Sequence, residues 1–413
     1  MSGPRVGIVG AGVIGCALAF ELVRRGFAVT LLDRHPPARG GASYGNVGHI
    51  AAELVEPLPA PGLLLKFWRE LTIFGGPLSL PPRRWLALAP WAWRFARAAF
   101  QRPAHTALLA PLVRPAATAW EQLLAAAGRA DLLRRHGHYQ FWSGADAAVR
   151  VQAEAAHMAD LGIPTAVAAP ELSARIGAAA GLRPGHGAAL HFPDCAHVLD
   201  PTAVAQALVD AAHSSGRLNV LQRTVRAIRV AGAAAQLETD GEPLDVDAVV
   251  VCAGAWSAAL LQGFGLRVPL EAAFGYHLEL PAVPALADGP ILYDRERLLV
   301  TPMAGRLRAS SFMAFSGLDA VPVARHYARL EKLLGRVGYP VPSAAPRWCG
   351  PRPVLPDYLP ALGQVPAAPV YYACGHQHIG LTLAPVTATL MADLIEGRAP
   401  PHDLRPFDLA RFS

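Results

Sequence analysis

Lysine is almost absent from this chain of 413 residues, which carries only Lys66 and Lys332 among its 37 basic side chains. Charged residues make up 16% of the sequence, and the formal net charge of +6 comes from arginines spread along its whole length. No block of basic residues forms the electrostatic footprint of a nucleic-acid-binding surface. We therefore expect no nucleic-acid partner.

Cysteine is also scarce, with five residues at positions 16, 195, 252, 349 and 374. Their spacings fit neither a zinc site nor an iron–sulfur cluster, so neither is expected within this chain. Scattered cysteines among apolar neighbours are typical of reduced thiols in a cytoplasmic protein. A strand begins by Arg5 and leaves no room for a signal peptide. We expect a cytoplasmic location, with peripheral contact to the inner membrane left open.

Long apolar runs are few, although 53% of the residues are hydrophobic. Residues 248–266 carry no charge, but their valines, glycines and polar side chains predict a buried strand, a turn and a short helix. Glycine and proline, at 38 residues each, are more frequent than average but below the level of a low-complexity chain. The length and composition thus predict a globular protein of two or three structural units.

The order of elements predicts a discontinuous domain. Residues 6–33 read as strand, glycine turn, helix and strand, and the chain ends with a strand at 370–373, a glycine turn and a helix over 385–396. The middle is rich in predicted strands. We predict an α/β fold in which a Rossmann-like domain carries an inserted α+β substrate domain. The predicted boundaries are 1–65, 186–262 and 345–413 for the first domain, and 66–185 and 263–344 for the second.

The N-terminal turn carries the pattern Gly10-x-Gly12-x-x-Gly15 between a strand and a helix, and Asp33 ends the next strand. Gly10 permits a tight turn, Gly12 lets the backbone approach a pyrophosphate, and Gly15 allows the helix to pack closely on the strand. The free N–H groups of the helix N-terminus favour the negative charge of a diphosphate. Asp33 is placed to bind ribose hydroxyls. This pattern predicts a dinucleotide site.

A second glycine-rich stretch, residues 40–48, favours FAD over NAD as the dinucleotide. Small residues there would let backbone N–H groups and Ser43 reach a second part of a long cofactor, with Gly48 near a flat ring. The alternative is a flexible glycine loop without a ligand.

Several further motifs resemble the FAD-dependent amino-acid oxidoreductases of the D-amino-acid oxidase superfamily, and most of all the bacterial D-amino-acid dehydrogenase branch. The similarity extends from residue 6 to about residue 396. The motifs are Ser43-x-x-Asn46-x-Gly48, Ala253-Gly254-Ala255-Trp256-Ser257, Trp348-x-Gly350-x-Arg352-Pro353, Pro356-Asp357-x-x-Pro360-x-x-Gly363 and Gly375-His376-x-x-x-Gly380.

The resemblance implies FAD bound by the N-terminal unit, with Val225 and Gly254 near the adenosine half. It also implies that Gly350 and the loop 375–382 surround the isoalloxazine ring. The expected cofactor-binding residues are Gly10, Gly12, Val13, Ile14, Gly15, Asp33, Arg34, Ser43, Asn46, Val47, Gly48, Val225, Gly254, Gly350, His376, His378, Ile379, Gly380, Leu381 and Thr382.

Arg352 is the leading candidate for substrate binding. A planar guanidinium can hold an amino-acid carboxylate through two parallel hydrogen bonds, and the flanking prolines stiffen the backbone that carries it. The resemblance implies that Arg352 holds the substrate with its α hydrogen facing flavin N5. The alternative is a surface arginine in a chain rich in arginine.

Three other side chains are candidates for the active site. His49 replaces a glutamine expected in the branch and is predicted to line the substrate pocket, with a structural role as the alternative. Tyr276 follows Gly275 at a position from which the family directs side chains over the substrate, with core packing as the alternative. Cys349, next to Gly350, raises the question of a covalent flavin, although most unpaired cysteines are inert. His376 and His378 are two residues apart but lack a third ligand, so no metal site is predicted.

The expected activity is dehydrogenation of a D-amino or cyclic D-imino acid by hydride transfer to FAD. The loop 375–385 resembles the branch that oxidises D-hydroxyproline and D-proline, while Leu355, Pro351 and His49 depart from the general D-amino-acid pattern. Oxygen, a quinone or a partner subunit would accept the electrons. The alternatives are oxidation of a secondary amine, as by sarcosine or glycine oxidases, a non-catalytic FAD-binding subunit of a larger complex, and an NAD-linked dehydrogenase.

Overall fold

The computed structural model describes residues 3–281 and 283–413 of the chain. The strands are β1 (Arg5–Val9), β2 (Ala28–Asp33), β3 (His49–Ile50), β4 (Leu78–Ser79), β5 (Leu133–Arg134), β6 (His138–Ser143), β7 (Ala166–Val167), β8 (Gly187–Phe192), β9 (Ala196–Val198), β10 (Leu218–Gln222), β11 (Val225–Ala231), β12 (Ala234–Thr239), β13 (Leu244–Val246), β14 (Ala248–Val251), β15 (Glu271–Pro281), β16 (Ile291–Tyr293), β17 (Leu298–Met303), β18 (Arg306–Ala314), β19 (Arg347–Val354), β20 (Ala361–Gln364) and β21 (Val370–Cys374).

Helices connect and cover these strands, together with several single 3₁₀ turns. The α-helices are α1 (Val13–Arg24), α2 (Gly41–Tyr44), α3 (Pro61–Glu70), α4 (Trp85–Ala99), α5 (Arg102–Val113), α6 (Ala116–Ala126), α7 (Ala147–Asp160), α8 (Pro170–Ala179), α9 (Pro201–His213), α10 (Ser257–Leu261), α11 (Ala324–Arg336) and α12 (Gly380–Ile395).

The ends of the chain and part of its middle form a six-stranded sheet in the order β10-β2-β1-β14-β21-β20, which we call the parallel sheet. All neighbours in it are parallel except the β20–β21 pair. Its central strands are apolar runs, as expected for strands covered on both faces. Helices α1, α9 and α12 pack on one face, and the small sheet β11-β12-β13 packs on the other. The predicted strand–helix–strand unit at the N-terminus is confirmed.

A second sheet has the order β19-β15-β18-β17-β16-β6-β8-β7, with β4 paired to β18, and we call it the large sheet. Helices α8 and α11 pack against this sheet and complete its own apolar core. Helix α11 has a strong division between a buried face, with Leu330 and Leu334 fully covered, and a charged face. This sheet forms the second layer that the predicted strands in the middle of the chain require.

The predicted domain boundaries separate two strands from the sheet in which they pair. Strands β8 and β19 fall within residues 186–262 and 345–413, which were assigned to the first domain, yet both pair within the large sheet. The last helix begins at Gly380, five residues before the predicted start, and contains Pro385. Pro385 has no N–H for the carbonyl oxygen of Leu381, which instead accepts from the indole of Trp120 at 2.7 Å. No helix of the described residues combines the length and the apolar character that crossing a bilayer requires.

Candidate functional site

A cleft of about 310 Å³ opens at the carboxyl ends of strands β1, β2, β14 and β21. Its lining includes Val9, Asp33, Cys252 and Cys374, which end these strands or directly follow them. In open α/β sheets, ligands bind at this edge. The volume lies within the roughly 300–1,000 Å³ of small-molecule pockets.

Three glycines shape the turn beneath this cleft. Gly10 has φ of 111°, and a Cβ on it would lie 2.4 Å from the carbonyl oxygen of Cys252. A Cβ on Gly15 would lie 1.9 Å from the carbonyl oxygen of Gly10, so the close approach of helix and strand requires glycine there. Gly12 precedes α1, whose N-terminus has no side-chain cap, and Val13 and Ile14 line the cleft. The turn therefore presents a helix N-terminus that can hold a diphosphate.

Asp33 is fixed at the end of β2 by two backbone groups. Its carboxylate accepts hydrogen bonds from the N–H of Ala11 at 2.8 Å and of His35 at 2.9 Å. Asp33 lines the cleft beside the glycine turn, and its carboxylate oxygens keep lone pairs for further donors.

The second glycine-rich loop returns to the same turn. Ser43, in α2, accepts a hydrogen bond from the N–H of Val13 at 2.9 Å, and both Ser43 and Asn46 line the cleft. The guanidinium of Arg34 lies 4.1 Å from the ring centre of Trp256 and stacks on it. Trp256 was not assigned a role from the sequence. Its place within the Ala253–Ser257 motif was the signal that could have indicated one.

Val225 and Gly254 line the same cleft as Arg34 and Trp256. Val225 begins β11, and Gly254 follows β14 with φ of 54°, a value that glycine adopts without strain. Both residues thus lie at the end of the cleft expected to receive the adenosine half of the dinucleotide.

Arg352 lies on β19, opposite Ala273 of β15, and lines the cleft. The guanidinium occupies a space left by Gly275, because a Cβ on Gly275 would lie 2.3 Å from Nη2 of Arg352. Nη1 donates to the carbonyl oxygen of Phe312 at 2.9 Å, and Nη2 lies 3.4 Å from the hydroxyl of Ser310. The large sheet thus holds the guanidinium in one orientation.

The carbonyl of Phe312 reaches Arg352 through an irregularity in the sheet. The β15–β18 register shifts between Phe274 and Tyr276, and Phe312 on the opposite strand has φ of 70°. A bulge of this kind re-aims backbone groups, and a positive φ at a bulky residue persists only where the surroundings enforce it.

Arg352 has no carboxylate partner among the described residues. Burial lowers the pKa of its guanidinium, and the two groups whose charges oppose that shift are Tyr358 and Cys349, neither of which is an acid at neutral pH. A partly buried cation without a counter-ion favours an anionic ligand beside it. This corner of the cleft is therefore suited to a carboxylate.

The loop after β21 closes the cleft next to Arg352. The N–H of Gln377 donates to the carbonyl oxygen of Pro353 at 3.0 Å, which ties the loop to β19. Gln377 is buried with φ of 51°, and neither its Oε1 nor its Nε2 has a hydrogen-bond partner among the described residues. An orphaned buried amide at a cleft wall is expected where a ligand supplies the missing partners. Sequence reasoning overlooked this residue, although it lies within the predicted loop.

His376 and His378 line the cleft on either side of Gln377. Burial lowers the pKa of His376 to about 3 and that of His378 to about 4, so both rings are neutral at neutral pH. Nε2 of His376 lies 3.1 Å from the hydroxyl of Thr387. Helix α12 then begins at Gly380 without a side-chain cap, and Gly380 and Leu381 also line the cleft. Two helix N-termini, of α1 and α12, therefore open into one cleft.

Some predicted cofactor residues support the cleft wall without lining it. The hydroxyl of Thr382, for example, accepts a hydrogen bond from the N–H of Ala51 at 3.0 Å, and the N–H of Gly48 donates to Oδ1 of Asn46 at 2.8 Å. The residues of this group are Gly15, Val47, Gly48, Gly350, Ile379 and Thr382.

The structure does not place His49 or Tyr276 in the cleft. The ring of Tyr276 packs in the core of the large sheet, 4.7 Å from the ring centre of His326, and its hydroxyl accepts from the N–H of Val323 at 3.3 Å. His49 lies in a buried polar cluster beside His138, with 4.5 Å between the two ring centres. Neither side chain is in position to line the pocket predicted from the sequence, because strand pairing turns each one to another face.

Cys349 likewise does not line the cleft. Its side chain packs against the core of the large sheet, in register with Tyr276, and burial raises its pKa to about 11. A largely protonated thiol facing a core is unsuited to covalent attachment of a flavin.

Similarity to known proteins agrees with the geometry of this cleft. The chain matches the family described as FAD dependent oxidoreductase over residues 5–394. It is 32% identical to a D-amino acid dehydrogenase 2 of Ralstonia nicotianae, covering 98% of this chain and 100% of the relative. It is 29% identical to a D-amino-acid oxidase of Bradyrhizobium diazoefficiens, covering 99% of both. The crystal structure of glycine oxidase from Geobacillus kaustophilus is similar with a TM-score of 0.73, 25% identity and 99% coverage of both chains.

The residues present fit an FAD cofactor. The glycine cradle leaves no space for side chains, Asp33 lines the cleft with lone pairs for further donors, and the unpaired amide of Gln377 offers both a donor and an acceptor at the far end of the cleft. From residue 5 to residue 394 the chain belongs to the FAD dependent oxidoreductase family, with FAD as its cofactor.

Proposed function

We propose that this enzyme oxidises a D-amino acid whose carboxylate binds to Arg352. The observation that supports the proposal is the guanidinium of Arg352, which lines the cleft without any carboxylate partner among the described residues. Its two outer nitrogens match the two oxygens of a carboxylate, and the contact with Phe312 fixes the direction of the fork.

FAD, when bound, accepts the hydride that leaves the α carbon of the substrate. The chain itself contributes orientation and electrostatics. Arg352 holds the carboxylate, and the neutral rings of His376 and His378 keep this end of the cleft free of a second cation. Because Arg352 carries a positive charge in a sparsely solvated place, it lowers the pKa of a neighbouring ammonium group. The substrate amine therefore enters the reaction in its neutral form, which can donate electron density to the α carbon.

Helix α12 adds a positive partial charge beside the loop 375–378. Its first N–H groups are uncapped, and Trp120 fixes the first turn by donating to the carbonyl oxygen of Leu381 at 2.7 Å. A helix N-terminus in this position favours negative charge nearby. Catalysis would thus depend mostly on positioning and on fixed dipoles.

Within this class, we propose a cyclic D-imino acid, D-hydroxyproline or D-proline, as the preferred substrate. The resemblance of the loop 375–385 to enzymes of that kind supports it. The relatives named D-amino acid dehydrogenase and D-amino-acid oxidase support the wider class.

An anaerobic titration of the purified yellow protein tests both levels of this proposal. cis-4-Hydroxy-D-proline and D-proline should bleach the flavin band faster and at lower concentration than D-alanine, and their L-enantiomers should not bleach it. A clear preference for D-alanine would reject the cyclic substrates and retain the wider class. An unchanged spectrum with every amino acid would instead favour a non-catalytic FAD-binding subunit.

A second candidate is oxidation of glycine or sarcosine. The similarity to glycine oxidase over 99% of both chains supports including it. Sarcosine lacks a side chain on the α carbon, so it would fit any pocket that accepts proline and would reveal no stereochemical preference. Comparing kcat/KM for sarcosine and D-proline separates the two functions.

For the electron acceptor we propose a membrane quinone, reached from a surface of exposed apolar side chains on α3, α4 and their connection. Helices α3 and α4 contact each other, and Trp68 packs edge-on against Phe74. Residues 61–100 contain six basic side chains and one acidic side chain. The exposed apolar members of this surface are Leu65, Phe67, Trp68, Ile73, Phe74, Trp85, Leu86 and Trp93. Tryptophan and arginine together suit the interface of an anionic bilayer.

Cosedimentation with vesicles tests this membrane contact. The protein should sediment with phosphatidylglycerol vesicles and not with phosphatidylcholine vesicles, and Leu86→Ser with Trp68→Ser should abolish sedimentation. Val149→Ser is the control, since Val149 is 72% exposed on α7, outside this surface. If the double variant still sediments, the membrane contact lies elsewhere on the protein. A separate measurement concerns the acceptor: if oxygen reoxidises the reduced enzyme as fast as a quinone analogue does, the acceptor is oxygen.

A further inference from the structure

A buried cluster of polar side chains lies outside the cleft. It joins His49 of β3, Glu53 in the turn that follows, His138 at the start of β6, and Cys195 in the turn between β8 and β9. These residues come from three separate parts of the chain, and the side chains of His49, Glu53 and His138 are each 7% exposed or less. The family assignment and the proposed reaction leave this cluster without a role.

The distances within the cluster match those of a metal site. Nε2 of His49 lies 3.6 Å from Oε1 of Glu53, and Nε2 of His138 lies 3.8 Å from the same oxygen. The ligand atoms of these three residues all lie within 4.8 Å of one another. Ligands of a tetrahedral ion with bonds of about 2.1 Å are separated by about 3.4 Å, so a small contraction would suffice. The thiol of Cys195 lies 2.9 Å from Oε2, the other oxygen of Glu53, and outside the group whose ligand atoms share this 4.8 Å limit; a rotation of its side chain would bring it to the ion as a fourth donor.

The cluster also lacks a positive charge. Glu53 is 8% exposed, and its ion-pair contacts among the described residues are the two imidazoles. No arginine or lysine of the described residues pairs with it. Buried carboxylates are normally paired with a cation or coordinate a metal. A divalent cation would supply the charge that is missing here.

The two imidazoles lie side by side in the cluster, with 4.5 Å between their ring centres. Nε2 of His49 is buried and has no hydrogen-bond partner in the described structure, although it points towards Glu53. An unpaired buried nitrogen that faces a carboxylate indicates that a bound ion belongs between the two groups.

We propose that His49, Glu53, His138 and Cys195 bind one Zn²⁺ ion as a structural site. Two imidazoles, one carboxylate and one thiolate are the ligand types that zinc accepts, whereas calcium and magnesium prefer oxygen ligands alone. Four protein ligands in a buried place leave no open position for catalysis. Binding releases the proton of Cys195 to solvent, and the charges of Zn²⁺, thiolate and carboxylate then cancel. The ion would join the segment after the second glycine-rich loop to the large sheet.

Zinc content tests the proposal on the full-length, FAD-loaded protein, without reference to its substrate. Protein from zinc-supplemented medium should retain about one zinc per chain after gel filtration, as measured by inductively coupled plasma mass spectrometry. Glu53→Gln and His138→Gln should each reduce the retained zinc by about tenfold or more, since even outer partners of a metal change affinity by 10–100-fold. His191→Gln is the control: His191 lies on β8, opposite the neighbour of His138, and is not part of the cluster.

Two further measurements decide the case if a variant folds poorly. Zn²⁺ added to chelator-treated wild-type protein should raise Tm by about 3 °C at an excess of 100 times Kd, and should not change Tm of Glu53→Gln. Co²⁺ should give absorption at wavelengths beyond the flavin bands, and Cys195→Ser should weaken it. If wild-type protein retains no zinc, neither ion changes Tm and Glu53→Gln is as stable as the wild type, the cluster is a metal-free hydrogen-bonded network and the proposal is rejected.

Discussion

The guanidinium of Arg352 fills the space that a side chain on Gly275 would occupy, with only 2.3 Å between Nη2 and the position of a Cβ. The two residues lie on adjacent strands of the large sheet, near the register pair Gly275 and Gly350. Glycine at position 275 is therefore part of the mechanism that directs Arg352 into the cleft.

Gly275→Ala should displace the guanidinium while leaving the backbone unchanged, since the contact is with the end of a flexible side chain. A displacement of about 1 Å at a positioning group can reduce turnover by about 100-fold, so we expect kcat/KM for the D-amino acid to fall by 10- to 100-fold. Steady-state kinetics measures this. Gly335→Ala on α11, where a Cβ meets open space, should leave kinetics unchanged and stabilise the protein by about 0.5–1 kcal/mol. Unchanged kcat/KM in Gly275→Ala would contradict the positioning role.

Arg352→Lys keeps the positive charge but removes the two-pronged donor. Losing half of a buried, charge-assisted pair costs about 2–3 kcal/mol, which corresponds to a rise in KM of about 30- to 150-fold. Binding of a carboxylate inhibitor, followed through the flavin spectrum, should weaken to the same degree. Arg347→Lys on the same strand, where Arg347 pairs with Glu331 at the surface, is the matched control. If Arg352→Lys and Arg347→Lys bind the inhibitor with equal affinity, Arg352 does not bind the substrate carboxylate.

Local motifs could be predicted from the sequence because their geometry depends on neighbouring residues. The turn from Gly10 to Gly15 and the carboxylate of Asp33 lie within one strand–helix–strand unit, and the structure forms them as expected. Side chains of a strand point alternately to its two faces, and Arg352 lies on the face of β19 that lines the cleft. The sequence was therefore sufficient for the parts of the cleft set by short-range structure.

Contacts between distant segments could not be predicted in this way. Tyr276 shares the core face of β15 with Phe274 and Leu278, and only the packing of the whole sheet decides which face of the strand is the core face. His49, His138 and Cys195 meet only when three separate segments fold together, so spacing rules for metal ligands could not detect them. Gln377 has a positive φ, and nothing in its residue type indicates this conformation. In each case the information lies in tertiary packing.

Gln377→Leu should have opposite effects on the apoprotein and on cofactor binding. Removing a buried amide that has no partner should stabilise the apoprotein by about 1–3 kcal/mol, while FAD affinity should fall because the cofactor loses its hydrogen bonds. Urea unfolding of the apoprotein and titration with FAD measure the two effects separately. If FAD affinity is unchanged while stability rises, Gln377 faces only protein.

Gly12→Val should reduce the flavin content of the purified protein. A Cβ on Gly12 would already lie 3.0 Å from the hydroxyl of Ser43, and the added methyl groups would occupy the position where a pyrophosphate approaches α1. The ratio of flavin absorbance to protein absorbance should fall by about tenfold at equal FAD supply, if the loss of helix N-terminal contacts costs about 1.4 kcal/mol. Gly335→Val introduces the same side chain at an open helix position and should retain full flavin content.

Buried neutral histidines should make the protein lose stability in mild acid. Burial lowers the pKa of His277 to about 3, that of His376 to about 3 and that of His378 to about 4, against about 6.5 in the unfolded chain. Between these values the unfolded state binds more protons than the folded state, so the free energy of unfolding falls as the pH drops below about 6.5. Each ring contributes a slope of up to about 1.4 kcal/mol per pH unit until the folded pKa is reached.

Urea unfolding at intervals between pH 7 and pH 4 measures this slope. His277→Gln removes the ring stacked on Trp348, with 5.1 Å between the ring centres. It should reduce the slope by up to about 1.4 kcal/mol per pH unit, the contribution of one proton, even if it lowers the free energy of unfolding at pH 7. A free energy of unfolding that stays constant from pH 7 to pH 4 would mean that these rings titrate alike in both states. Their burial would then not penalise the protonated form, and the cleft wall beside Arg352 would have to be open to water.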